Sequence, residues 1–245
     1  MPHGGVGVVR ALAEALTRRG VAARDADDWR LTYPEAADEL EARMLAALAR
    51  AASPLAVDLL LDQPRRWRAG AREEEAPIAA RSRVLNRLID PPMVVVFGPA
   101  NVGKSTLLNA LAGRAVAVVA DEPGTTRDHV GVLIDLGGLV VRYVDTPGIR
   151  HGGGEEEQRA ICAARALATH ADLVVAMADA TGDLVEVPAG AMRVGLRADL
   201  GPAKGSVDIS VSVRRGEGVP ALVAALRERL VPRAVLDDPG VWRFW

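Results

Sequence analysis

The sequence predicts an α/β protein: an open, mostly parallel sheet with one antiparallel hairpin, preceded by an α-helical N-terminal domain. Three observations predict it. From Met93 onward, apolar runs of strand length alternate with helix-like stretches. Two of those runs flank Gly137-Gly138 in the manner of a hairpin. Before residue 90 the apolar residues recur at helical spacing instead, and Pro91-Pro92 marks the change. The division expected is a helical domain over 1–90, an α/β domain over 91–233 and a C-terminal tail over 234–245.

Each element has a local reason. Val9, Leu12 and Leu16 repeat at helical spacing until Gly20. Thr32-Tyr-Pro-Glu35 has the form of a capping box with Thr32 as N-cap, opening a helix that carries Leu40, Met44, Ala47 and Leu48 on one face. Ser53-Pro54 starts another helix, expected to end near Gln63-Pro64. Arg65 to Arg72, followed by Glu73-Glu-Glu75, reads as an exposed linker, and a last helix spans about 77–89. Strands follow at 93–97, 130–136, 139–145, 173–177, 192–196 and 207–211. A helix begins near Thr106, and an amphipathic helix closes the α/β region at 220–230. Only about fourteen residues join the fourth and fifth strands and about ten the fifth and sixth, so one or both crossovers must shrink to a turn or loop.

Composition narrows the class. In 245 residues hydrophobic side chains make up 49% but aromatics only 3%, so cores are built from Ala, Val and Leu. A net charge of −2 provides no global basic field for nucleic acid. No apolar run is long enough to span a bilayer, and the N-terminus has no charged stretch before an apolar one. The single cysteine, Cys162, has no partner for an internal disulfide, which suits a reducing, cytoplasmic setting. His3, His129, His151 and His170 lack ligand-like spacing, so no zinc site is expected.

Gly98-Pro-Ala-Asn-Val-Gly-Lys-Ser105 carries the chemistry. It fits Gly-x-x-x-x-Gly-Lys-[Ser/Thr] and stands between a buried strand and a helix, the context the phosphate-cradling loop requires. Gly98 and Gly103 free the backbone so that N–H groups, including those at Asn101, Val102 and Thr106, converge on phosphate oxygens. The helix N-terminus adds its dipole. Lys104 would reach the β- and γ-phosphates, and the Ser105 hydroxyl would ligate Mg²⁺. The bland alternative is a glycine turn before an ordinary helix.

Two further signals stand in the order a GTPase requires. Pro123-Gly-Thr-Thr-Arg-Asp128 falls where the first switch belongs, and Asp145-Thr-Pro-Gly148 ends the third strand. There Asp145 would hold Mg²⁺ and the Gly148 N–H would contact the γ-phosphate. Together with Gly98–Gly113 these residues resemble the TrmE–Era–EngA branch of P-loop GTPases, nearest to the tRNA-modification (TrmE) type. The resemblance covers roughly 93–232.

The resemblance implies further roles. Thr126 would be the switch threonine that closes on Mg²⁺. Asn101 and Thr125, with the backbone near Ala120 and Glu122, would bind K⁺ where other GTPases use an arginine finger; Asn101 would otherwise simply brace the loop. Ile149 follows Gly148 where a water-orienting glutamine often stands, and Glu157 is the substitute, unless Glu155 to Glu157 merely favour a helix N-terminus. GTP and GDP are the implied ligands, with a nucleotide-dependent homodimer and RNA or ribosome contact as implied partners and no membrane. Arg65, Arg66, Trp67, Arg68 and Arg72 would supply an RNA contact if they are not a solvated linker.

The chain also departs from the family. The guanine-specificity motif Asn-Lys-x-Asp is Leu196-Arg-Ala-Asp199. Asp199 would still accept from the guanine N1 and N2 groups, and the Arg197 stem would cover the base. Leu196 lacks the amide that ties this motif to the phosphate loop. Ser-Ala-Lys is replaced by Ser212-Val213-Arg214, before Gly216-Glu-Gly218. One lost polar contact costs about 1–3 kcal/mol, so weaker guanine binding is expected. The family's folate-binding domain and catalytic cysteine have no counterpart in these residues, and Cys162 reads as a packed small residue. Trp242, Phe244 and Trp245 are expected to dock on the helices. The rivals are a degenerate nucleotide-binding scaffold and an ATP-using enzyme; GTP hydrolysis is the primary expectation.

Overall fold

The structure, a computed structural model, describes residues 14–20, 28–70, 74–112, 131–146, 166–182 and 188–245. Six strands form one sheet: β1 (Met93–Phe97), β2 (Gly131–Asp135), β3 (Val140–Asp145), β4 (Leu173–Ala178), β5 (Met192–Gly195) and β6 (Ile209–Ser210). Their order is β2-β3-β1-β4-β5-β6. Only β2 and β3 pair antiparallel, with Gly131 opposite Val144 and Asp135 opposite Val140. Gly137 and Gly138 supply the positive φ angles (+73° and +99°) that close this hairpin, as the sequence predicts.

The sheet is α/β in the expected sense. β4 is buried at every residue and reads as an uninterrupted apolar run, because both faces are covered. The register aligns Val96 with Asp145 on one side and with Val175 on the other. The carboxyl ends of β1, β3 and β4 therefore meet at one edge. The chain leaves β1 there, and the order reverses around β1, which opens the crevice where ligands sit in such sheets.

Seven labelled helices accompany the sheet among the described residues: α1 (Trp29–Thr32), α2 (Glu39–Arg50), α3 (Ala56–Arg68), α4 (Glu75–Leu85), α5 (Lys104–Ala112), α6 (Val219–Leu230) and α7 (Arg233–Leu236). Residues 14–18 are also helical and end at Gly20 with φ +83°. Val9 and Leu12 lie outside the described residues.

Three helical expectations are corrected. Thr32 is the last residue of α1, whose cap is Asp28; Asp38 caps α2 instead. The Asp38 carboxylate accepts from the Glu41 N–H, and Glu41 accepts from the Ala37 N–H, each at 2.9 Å. A carboxylate pairing with the amide three residues on is a cap as strong as any threonine. Next, α3 runs through Pro64 to Arg68 rather than ending at it. Pro64 removes one helical hydrogen bond, but its flanking residues pack on the C-terminal tail. Finally, Arg65, Arg66 and Arg68 belong to that helix and are not a linker. Arg65 and Arg66 pair with Asp62 at 2.7 and 2.6 Å, and Arg68 pairs with Asp38 at 2.8 Å.

The helices and sheet share one hydrophobic cluster. Met44, Leu60, Leu85 and Leu88 join Val94, Val96, Leu107, Ile134 and Leu226 in it. Polar contacts reinforce the junction. The Leu55 N–H donates to the Gly138 carbonyl at 3.2 Å, and the Val140 N–H donates to the Ser53 hydroxyl at 2.9 Å. Arg87 bridges Asp172 at the start of β4 and the carbonyl of Leu230.

The tail docks as expected. Trp242 and Phe244 are fully buried, and the Trp242 N–H donates to Gln63 Oε1 at 3.0 Å. The Trp242 carbonyl accepts from Trp67 Nε1, whose ring lies 5.5 Å from Trp245. The β5–β6 connection is reduced to one 3₁₀ turn, Ala198–Leu200, and residues 179–182 and 188–191 contain no helix. Among the described residues no helix is long and apolar enough to cross a membrane.

Candidate nucleotide-binding site

The phosphate loop leaves β1 at Gly98 and enters α5 at Lys104. Gly98 is required by space: a Cβ there would stand 2.8 Å from the Met177 carbonyl. Gly103 is required by conformation, with φ +108°. Asn101 also takes a left-handed backbone, φ +62°, so the loop curls and α5 presents its N-terminus to the crevice.

Lys104 is 7% exposed and donates to the carbonyls of Gly98 (3.1 Å) and Pro99 (3.0 Å). An ammonium has three donors, which leaves one for a phosphate oxygen. Burial lowers its pKa, and the Asp145 charge partly offsets this. An incoming anion would restore the charged form.

Asp145, at the end of β3, lies across the loop from Ser105. Its Oδ2 is 3.4 Å from the Ser105 hydroxyl, while its buried Oδ1 has no hydrogen-bond partner. Desolvation raises its pKa, opposed by Lys104 and Ser105. A hydroxyl beside a carboxylate with one unsatisfied oxygen fits a hard divalent cation such as Mg²⁺, which takes few protein ligands and fills its shell with phosphate oxygens and water. Among the described residues no group of three or more His, Cys, Asp or Glu gathers into a separate metal site. Thr146 holds this edge in place: its buried hydroxyl donates to the Val96 carbonyl at 2.7 Å.

The opposite end of the crevice is a cleft of about 220 Å³ lined by Val102, Gly103 and Thr106 on the loop side. Leu196, Arg197, Asp199, Leu200, Val213 and Arg214 line the other side. Apolar walls with one directed carboxylate suit a flat heterocycle. Asp199 Oδ1 accepts from the fully buried Ser212 hydroxyl at 2.7 Å, and this bond foremost holds its carboxyl below the usual range. Gly216 and Gly218 close the turn after Ser212; a Cβ on Gly218 would collide with the Ser210 carbonyl.

The structure therefore brings Gly98, Asn101, Val102, Gly103, Lys104, Ser105, Thr106, Asp145, Arg197, Asp199, Ser212 and Val213 to one crevice. Thr125, Thr126, Gly148, Glu157 and Cys162 lie outside the described residues. Arg214, named with Ser212 and Val213 from the sequence, lines the cleft as well; sequence reasoning missed Leu200 as a lining residue, and it missed Asp179. The signal for Asp179 was its place at the carboxyl end of a strand beside the switch point.

Residues 93–194 match the family described as 50S ribosome-binding GTPase. The chain is 40% identical over 196 residues to a tRNA modification GTPase MnmE of Acidiphilium cryptum, covering 78% of this chain and 40% of that protein. It is 46% identical over 151 residues to the MnmE of Mesorhizobium japonicum, covering 58% of this chain and 34% of that protein. The match thus spans well under half the length of these relatives. An Era structure from Aquifex aeolicus bound to GDP and AlF4⁻ is 26% identical, covers 57% of this chain and 56% of that chain, and gives a TM-score of 0.43. Residues 93–194 are thus similar to the GTPase domains of the 50S ribosome-binding GTPase family, and the wider chain is similar to part of the tRNA modification GTPases.

Proposed function

We propose that this chain binds GTP with Mg²⁺ and hydrolyses it to GDP and phosphate, acting as a nucleotide-dependent switch. The observation that supports this most directly is the shared crevice: loop residues Val102, Gly103 and Thr106 line the same cleft as Asp199. Phosphates would meet the backbone N–H groups of 98–106 and Lys104, while the base would meet Asp199. Asp199 is held ionised and can accept from N1 and N2 of guanine.

In this reading Ser105 and Asp145 hold Mg²⁺, which supplies charge neutralisation at the transferring phosphoryl group. Lys104 adds a fixed positive charge in a partly desolvated site, where it is worth more than in water. Thr126, Gly148 and Glu157 would close on the γ-phosphate and orient the attacking water. Asn101 and Thr125 would hold K⁺. These roles rest on the family resemblance.

The relatives' name supports placing this switch in tRNA modification; a cytoplasmic setting, RNA contact and a nucleotide-dependent homodimer as the coupled events rest on the family resemblance alone. Fluorescent GDP, competed with GTP and with ATP, tests base choice; multiple-turnover phosphate release tests hydrolysis. The expected result is displacement by GTP alone, and a fall of at least about a hundredfold in turnover on Lys104→Ala. Displacement by ATP, or no turnover in Mg²⁺ and K⁺, would overturn the reading in favour of a scaffold or an ATP enzyme.

A further inference from the structure

Arg197 stands out in the base-reading turn. It is one of two described non-glycine residues with positive φ (+53°), the other being Asn101 in the phosphate loop. Such a conformation is unfavourable for a residue with a side chain and persists where surroundings enforce it. Backbone bonds on either side fix the turn, from the Leu196 N–H to the Ala178 carbonyl (2.7 Å) and from the Ala198 N–H to the Val211 carbonyl (3.1 Å), and the Arg197 side chain is held by Asp179, whose Oδ2 pairs with its Nη1 at 3.1 Å.

Asp179 is built to hold that charge. Its side chain is 3% exposed, while that of Arg197 is 43% exposed. Its other oxygen accepts from the Thr181 N–H (2.8 Å), the Thr181 hydroxyl (2.7 Å) and the Gly182 N–H (2.9 Å). Burial works against ionisation, but these bonds and Arg197 outweigh it and lower the carboxyl's pKa.

The guanidinium is thereby held against the phosphate loop, on the wall of the cleft that Arg197 lines. Arg197 Nε is 3.8 Å from where a Cβ on Gly103 would stand, beside Leu196 Cδ1 at 3.7 Å. Leu196 fills its place apolarly and is 2% exposed. Arg197 also opens the 3₁₀ turn Ala198–Leu200 that carries Asp199.

We propose that Asp179 is a positioning residue for guanine recognition: it anchors Arg197 against the phosphate loop and takes over the tie that an amide at 196 would make. The inference rests on the GTP reading proposed above. A planar guanidinium fixed at the cleft mouth covers a purine face and sets the start of the Asp199 turn.

The test measures GDP and IDP affinity for the full chain and for Asp179→Asn, Arg197→Ala and their double variant. IDP lacks the 2-amino group that Asp199 would read. Each single variant should bind GDP about five- to tenfold more weakly and lose preference for GDP over IDP. The double variant should bind no more weakly than the worse single one. Adding Leu196→Asn to Asp179→Asn should recover affinity, because it supplies an amide at position 196. An equal loss from Asp179→Asn in the Arg197→Ala background would show that Asp179 only braces the 181–182 turn, and would overturn the inference. Unchanged GDP affinity in Arg197→Ala, a half-exposed position whose loss leaves the core intact, overturns it too. Absence of GDP binding by the unaltered chain would overturn the GTP reading together with it, whereas binding that these variants leave unchanged would sink the inference alone.

Discussion

At the scale of single residues, the phosphate end of the crevice holds its charges at a cost. Lys104 and Asp145 are both displaced by burial toward their neutral forms, and each partly relieves the other. The sign for Asp145 follows from linkage. A carboxyl whose folded pKa is raised above the unfolded 3.8 contributes stability that is fully present below 3.8 and is lost as pH rises through the folded value. Asp145→Asn should therefore raise the melting temperature of the nucleotide-free chain at pH 7, and the gain should shrink toward pH 4. The same variant should lose Mg²⁺-dependent nucleotide affinity. Thermal melts at the two pH values, with and without Mg²⁺-GDP, check both halves; equal gains at both pH values would refute the first. Gly98, Gly103, Lys104 and Ser105 were legible because their chemistry is a matter of spacing within eight residues. Asp179 was not, because its partner stands eighteen positions away and is reached only across β4 and β5.

At the scale of elements, helix α3 departs most from its sequence pattern. Pro64 signals a stop and the arginines after it signal solvent, yet the helix continues to Arg68. Tertiary partners outweigh local propensity here. Arg66 donates to the carbonyls of Asp238 and Gly240, Trp67 donates to Trp242, and buried Gln63 accepts from the Trp242 N–H. Replacing Gln63 by Ala leaves a buried amide donor unsatisfied, so the expected loss is about 1–3 kcal/mol of unfolding free energy. Urea titration checks it, and an unchanged midpoint would mean that water satisfies the Trp242 amide. The displaced N-cap has the same moral. Thr32 and Glu35 have the right types at the right spacing, but Asp38 and Glu41 do too, and only the path of the chain selects between them.

At the scale of the whole molecule, the helical region and the sheet are joined by one core rather than by a flexible hinge. Leu60 and Leu88 lie in the same cluster as Val94 and Leu226, and the tail closes over α3 and α4. Trp242 is fully buried and lines no part of the nucleotide cleft. Trp242→Ala should therefore cost about 3–5 kcal/mol of stability while leaving GDP affinity unchanged within a few-fold. Denaturant unfolding beside nucleotide titration separates the two effects; a parallel loss of affinity would mean that the tail and the crevice are coupled.

The amino-acid order by itself determined the sheet's strands, the Gly137-Gly138 hairpin, the phosphate loop and the docking of the terminal aromatics. These depend on periodicity, on glycine conformations and on apolar surface, all of which act over a few residues or without regard to partner. Tertiary structure alone decided which helix cap forms, that α3 passes through Pro64, that Arg65, Arg66 and Arg68 are paired, and that Asp179 reaches Arg197. Those outcomes depend on which distant groups the strand order brings within hydrogen-bonding distance, and no local spacing records that.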